Sequence, residues 1–305
     1  LTNTILNIAQ VHERDGRWHF ALHLLKLCTR MVAAHKVQKA RLQARAGDLL
    51  WKVGKMSEAA AVLREAQVVA TRAGDKPTLA LALYNLGEIY YVKQFLMLNG
   101  NRQLALDTHK QALALRKQIN DLSGMAHSLS RLGVIYERLG DDDKAAQLYQ
   151  KAIAISKAID YPRGKTRPLT HIGAYERRQG DWPKALGYFE QALTISQEAG
   201  YQESITFALG NVGETLYHVY GDIRTALDYC QQALAIAQRM DFKLAIARTL
   251  FLMGMLYEAH GDLGAARDYW RQTVEAVEPF GYQALLRPAL HKLDFSTGHF
   301  LMGHR

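Results

Sequence analysis

The feature that most constrains this chain is that it repeats itself. The clearest copy of the repeated frame reads Leu132-Gly133-Val134-Ile135-Tyr136, then Gly140-Asp141, then Ala145, Tyr149 and Ala152. It returns as Leu86-Gly87-Glu88-Ile89-Tyr90 with Ala105 and Ala112, and as Ile172-Gly173 with Gly180-Asp181, Ala185, Phe189 and Ala192. Two later copies are Val212-Gly213 with Gly221-Asp222, Ala226, Cys230 and Ala233, and Met253-Gly254 with Tyr257, Gly261-Asp262, Ala266 and Trp270. Weaker copies stand first: Ile8-Ala9 with Gly16, Ala21, Leu25 and Cys28, and Ala46-Gly47 with Gly54, Ala59, Leu63 and Ala66. The small residues Ala9, Gly47, Gly87, Gly133, Gly173, Gly213 and Gly254 lie 38, 40, 46, 40, 40 and 41 residues apart. Seven such units bury their apolar faces only by stacking on one another.

Each part of the frame has a physical role. Apolar residues at helical spacing before and after the central turn give two amphipathic helices per unit. The small residue lets the second helix approach the first. Gly-Asp ends one helix with a residue tolerant of positive φ and caps the next with a carboxylate. Short connections follow each unit, as at Ala73-Gly74-Asp75, Asn120-Asp121, Asp160-Tyr161-Pro162, Ala199-Gly200-Tyr201 and Pro279-Phe280-Gly281. The long interval in unit three comes from extra residues around Gln94 to Asn99, expected to lengthen its first helix or to loop out without breaking the stack.

The chain has 305 residues, 49% of them hydrophobic and only 6 of them proline, which suits a large core of uninterrupted helices. No apolar run reaches the roughly 20 residues that span a bilayer, and the start carries no signal-peptide pattern. Cys28 and Cys230 fall on apolar packing positions five repeats apart, which points to buried thiols and a reducing, cytoplasmic setting. The net charge of +9 favours acidic partners.

The order of small residue, aromatic, glycine turn, alanine, aromatic, alanine resembles the tetratricopeptide repeat (TPR). The resemblance is to its long-unit variety, found in kinesin light chain, Pins-type adaptors and bacterial sensor arrays. It implies an all-α, right-handed superhelical solenoid of about seven helix pairs plus a terminal helix over Tyr282 to Leu293. The solenoid would span 1–293, followed by a tail over 294–305 without helical period. Ala9, Glu176 and Thr273 depart from the pattern, at the small, aromatic and last alanine positions of units one, five and seven.

Several chemical signatures fail on inspection. Gly164-Lys165-Thr166 lacks the earlier glycine and the strand of a phosphate loop and reads as linker. Asp141-Asp142-Asp143 sits at a turn and reads as a cap. His19 and His23 have no further metal ligand at suitable spacing and read as solvated. No nucleophile stands near a base in sequence. The expectation is a binding protein with no catalytic residues, no metal and no cofactor, and the pattern is silent on oligomeric state.

The resemblance further implies that the first helix of each unit lines a concave groove. Its groove-facing positions lie six, three and two before the small residue, and one, four and five after it. The candidate peptide-binding residues at these offsets are Arg45, Trp51, Tyr84, Asn85, Tyr91, Arg131, Arg138, Arg167, His171, Arg177, Arg178, Asn211 and Tyr217. Arginine forks suit carboxylates and the aromatics suit buried anchors. In long-unit relatives an asparagine two before the glycine holds an extended peptide, a role the resemblance carries to Asn85 and Asn211. The expected partner is an acidic or aromatic-acidic protein segment, in a scaffold or sensor belonging to a larger bacterial regulator. Nucleic acid along the basic groove is the second reading, opposed by Glu88, Glu137, Glu214 and Glu258 in the same groove. A small-ligand or pheromone sensor is the third. No membrane partner is expected.

Overall fold

The computed structural model describes residues 2–95 and 102–296, and every regular element among them is helical. Unit one is α1 (Thr2–Arg14) and α2 (Trp18–Met31); unit two is α3 (Lys36–Lys52) and α4 (Met56–Ala73). Units three and four are α5 (Lys76–Phe95) with α6 (Arg102–Gln118) and α7 (Leu122–Arg138) with α8 (Asp142–Ala158). Units five and six are α9 (Arg163–Arg178) with α10 (Trp182–Glu198) and α11 (Gln202–Tyr220) with α12 (Ile223–Met240). Unit seven is α13 (Lys243–His260) with α14 (Leu263–Val277), and a 3₁₀ turn at Glu278–Phe280 leads into the terminal α15 (Gln283–Ser296). The helix pairs stack in a right-handed superhelix, as the repeat implied.

The small residue of each unit is a socket. A Cβ added at Gly133 would stand 2.5 Å from the Tyr149 ring, one at Gly173 2.8 Å from Phe189, and one at Gly254 2.4 Å from Trp270. At Gly87 the knob is His109, 2.6 Å away. The knob therefore comes from the second helix of the same unit, and glycine is needed for want of space rather than for backbone freedom. Backbone freedom matters in the turns. Gly140 and Gly180 take φ of 84° and 86°, and the following Asp141 and Asp181 accept hydrogen bonds from the backbone N–H of Lys144 and Lys184.

Two boundaries differ from expectation. Gly164-Lys165-Thr166 forms the first turn of α9 rather than a linker, because Pro162 can start a helix. The terminal helix runs on to Ser296, past the expected end at Leu293. The extra residues of unit three span Gln94 to Asn99. The first two of these continue α5, and 96–99 lie outside the described residues.

The superhelix also returns on itself. The turn of unit one meets the connection after unit six: Gly16 lies against Met240, and Trp18 packs on Phe242 with ring centroids 4.9 Å apart. The turn of unit two meets the connection after unit seven, with Gly54 against Phe280. His19, expected to be solvated, reaches Asp241 at 3.1 Å across this seam. Lys52 Nζ donates to Glu203 at 2.9 Å from 151 residues away. Trp18, Met240, Phe242 and Tyr282 belong to one apolar cluster with the sockets of units two to four, so one core runs across the seam.

Candidate functional site

The first helices carry the residues expected to form a wall, and most of the charges on them are spent on neighbouring units. Glu13 receives both nitrogens of the Arg45 fork, and Glu88 receives both nitrogens of the Arg131 fork. Glu214 pairs with Arg177, and Glu258 with Lys292 at 2.5 Å. Glu137 accepts from Tyr149 Oη at 2.7 Å, lies 3.0 Å from His171 Nδ1 and accepts from Arg178 Nη1 at 2.8 Å. Burial works to raise the Glu137 carboxyl, but His171, Tyr149 and the Arg178 charge outweigh it and hold the group at about 2. These pairs join unit to unit, so the wall is a ladder of inter-repeat ties.

The predicted site residues divide accordingly. Arg45, Arg131, Arg177 and Arg178 are in the ladder. Trp51 is buried, and so is Tyr91 beneath the Arg131 guanidinium, 4.6 Å from its ring. Asn85 is buried too, and its amide donates to the Ala44 carbonyl of the preceding unit at 2.9 Å. Asn211 accepts from Arg248 Nη2 at 3.3 Å. Tyr84 accepts from Arg167 Nη1 at 3.2 Å, carries Arg116 over its ring at 4.5 Å and meets His109 edge-on. His171 stacks on Tyr149, and Tyr217 stands edge-on to His218.

Three arginines on this wall make no ion pair with a carboxylate among the described residues: Arg138, Arg167 and Arg248. Arg138 lies beside the Tyr91 hydroxyl. Arg138 and Arg248 are both solvent-exposed yet enclosed by the wall. Desolvation by that enclosure lowers the Arg248 guanidinium below its ordinary value; Glu214 opposes the shift, and the charges of Arg177 and Arg138 add to it. Units four, five and seven thus bring three guanidinium groups together around one carboxylate.

The sequence reading missed the groups that close the channel. Glu203 is held at about 2: burial raises it, and the stronger combined effect of Lys52 and Arg163 lowers it. Tyr161 Oη lies in hydrogen-bond contact with His127 Nε2 at 2.7 Å. Tyr161 lies in the connection before α9 and Glu203 in the first turn of α11, and no periodicity in the sequence says that these points meet the neighbouring units. His109 was missed because it stands where other units have leucine, tyrosine, phenylalanine, tryptophan or cysteine. It is fully buried, and burial pushes it down to about 3, which keeps it neutral. Cys28 and Cys230 are free buried thiols, and burial pushes Cys230 up to about 12. Among the described residues no helix is long and apolar enough to cross a membrane.

Comparison with known proteins matches this architecture. The chain resembles the solved Rap protein complexed with competence and sporulation factor, at 18% identity and a TM-score of 0.68, over 97% of this chain and 83% of that one. It resembles the Rap conjugation gene regulator of plasmid pLS20 in complex with the Phr* peptide, at 13% identity and a TM-score of 0.71, over 89% and 72%. It also resembles a STAND protein with a tetratricopeptide repeat sensor from Pyrococcus horikoshii, at 18% identity and a TM-score of 0.53, over 96% of this chain and 44% of that one. No curated protein matches the sequence. The tetratricopeptide repeat family model matches residues 92–158, 166–239 and 205–278. With more than half its length so matched and seven units stacked as the repeat requires, the chain belongs to the tetratricopeptide repeat family.

Proposed function

We propose that this protein is a binding module, a scaffold or sensor that takes an acidic protein or peptide segment against its concave wall. The observation that carries this is the unmatched positive charge on an otherwise paired wall: Arg138, Arg167 and Arg248 face the channel without a carboxylate partner among the described residues. Guanidinium groups crowded together and partly desolvated gain by accepting a carboxylate. Tyr84, Phe207 and Tyr217 are half-buried beside them and offer apolar surface to an aromatic side chain. The two Rap neighbours named as complexes and the STAND neighbour named for its sensor agree with a role in peptide recognition inside a regulator. The chemistry is recognition rather than catalysis.

The test is a titration of the protein with an acidic peptide carrying one tryptophan, read by fluorescence anisotropy. Charge reversal of Arg138 together with Arg248 is expected to weaken binding about tenfold or more, with circular dichroism unchanged. Higher salt should weaken the wild-type complex, since exposed charges are screened over about 10 Å at 0.1 M. Arg177 suits this test less, because its reversal sets two carboxylates against each other at Glu214. Equal binding by the double variant would defeat the proposal.

A further inference from the structure

The residue two after the small residue is buried in most units that follow another. Leu49, Ile89, Ile135, Thr215 and Leu256 hold it in units two, three, four, six and seven, and each is at most 2% exposed. In unit one the position is Val11, 46% exposed with no described unit before it. Unit five breaks the rule. Its residue is Tyr175, 38% exposed although unit four stands directly before it. The next position, an aromatic in units three, four and seven, is Glu176, which turns away to pair with Lys184 of its own unit at 2.7 Å. An oversized side chain followed by a charged one leaves units four and five imperfectly joined on the convex side.

The result is a cleft of about 590 Å³ between the second helices of these units, α8 and α10, with α9 beneath. That volume falls in the range of small-molecule sites. Its apolar lining comes from Ile153, Leu169, Ile172 and Ile195 with the rings of Tyr175 and Tyr188. It follows α8 from Asp142 to Lys157, about 22 Å at the helical rise. The two ends differ in charge. At one end Arg178 is answered by Glu137 at 2.8 Å and by Asp142 at 3.8 Å. At the other, Lys157 and Lys165 line the cleft, and neither makes an ion pair among the described residues. A long apolar slot with uncompensated positive charge at one end matches an elongated apolar molecule with an acidic head.

We propose that the convex cleft between α8 and α10 binds a long-chain carboxylate, its chain along Ile153, Ile172 and Tyr175 and its head at Lys157 and Lys165. The cleft shares Glu137, Tyr149 and Arg178 with the wall at one end, whereas Lys157 and Lys165 at the other end take no part in the binding proposed for the wall.

The test uses hexadecanoate, titrated into the full chain below its aggregation concentration and followed by calorimetry, with hexadecanol as the uncharged comparison. Saturable binding of one hexadecanoate per chain is expected. The double variant Lys157→Gln/Lys165→Gln should weaken it by about three- to tenfold, the loss of two exposed charge contacts, and hexadecanol should bind no better than hexadecanoate does to that variant. Tyr175→Ile restores the residue type of units three and four and should close the cleft, abolishing binding. The lysine variant leaves the packing untouched, so it decides the matter if Tyr175→Ile fails to fold. The proposal is overturned if hexadecanoate does not bind saturably, if both variants bind it as the wild type does, or if an acidic amphipathic helix occupies the cleft and hexadecanoate does not displace it.

Discussion

A single residue type, glycine in the middle of a first helix, shows how tightly each unit is built. Gly133 faces the Tyr149 ring, and that ring is held on its other sides by the hydrogen bond to Glu137 and the stack on His171. The ring therefore cannot retreat when a methyl group is added. Gly133→Ala is expected to cost about 1–3 kcal/mol, the range for overpacking a well-filled core, and to lower the midpoint of urea unfolding at unchanged slope. A variant as stable as the wild type would mean that the ring has room to move. The socket was legible in the sequence as a recurring small residue. Its ionic surroundings were not, since Glu137 and His171 meet across 34 residues.

At the scale of the helix, aspartate caps are a repeated device, while α2, α3, α4, α9, α11 and α13 start without a side-chain cap. Asp121, Asp141, Asp181, Asp222 and Asp262 each accept from a backbone N–H three residues on, at the starts of α7, α8, α10, α12 and α14. α9 instead starts from Pro162 with no side-chain cap. Asp181→Ala is expected to remove about 0.5–2 kcal/mol of stability, and faster amide hydrogen exchange in the first turn of α10 is the measurement that localises it. Unaltered exchange there would show that the turn holds without its cap. These caps follow from Gly-Asp, or Asn-Asp at Asp121, in the sequence, because capping is decided within four residues of chain.

The whole molecule is shaped by its seam. Glu203 is held at about 2 against an ordinary value of 4.5, so its folded form is the better acid. The contribution of its contact with Lys52 is therefore fully present above pH 4.5 and is lost as the pH falls towards 2. Small-angle scattering should show a larger radius of gyration as that window is crossed from above. Glu203→Gln should already be expanded at neutral pH, with a weaker response to acid. If acid leaves the wild-type radius unchanged, the apolar contacts of Trp18, Met240 and Phe242 hold the ring closed without the ion pair.

The sequence by itself determined the units, their helices, their sockets and caps, because these depend on periodicity and on neighbours within one 40-residue frame. The resemblance to the repeat, rather than the periodicity itself, supplied the face of each first helix on which Arg138 and Arg167 were expected. The closure of the superhelix was decided only in three dimensions. Each unit adds a small rotation and rise, and their accumulated sum brings Trp18 to Phe242 and Lys52 to Glu203. No local pattern encodes a sum taken over five units. The partners of the wall arginines have the same origin. An arginine at a groove offset looks free in sequence, and the neighbouring unit decides whether a carboxylate is waiting for it, as Glu88 waits for Arg131 and none waits for Arg248. The convex cleft lies between the two cases. Tyr175 and Glu176 were visible as residues, but that they line a cleft between α8 and α10 is decided by the packing of the two units.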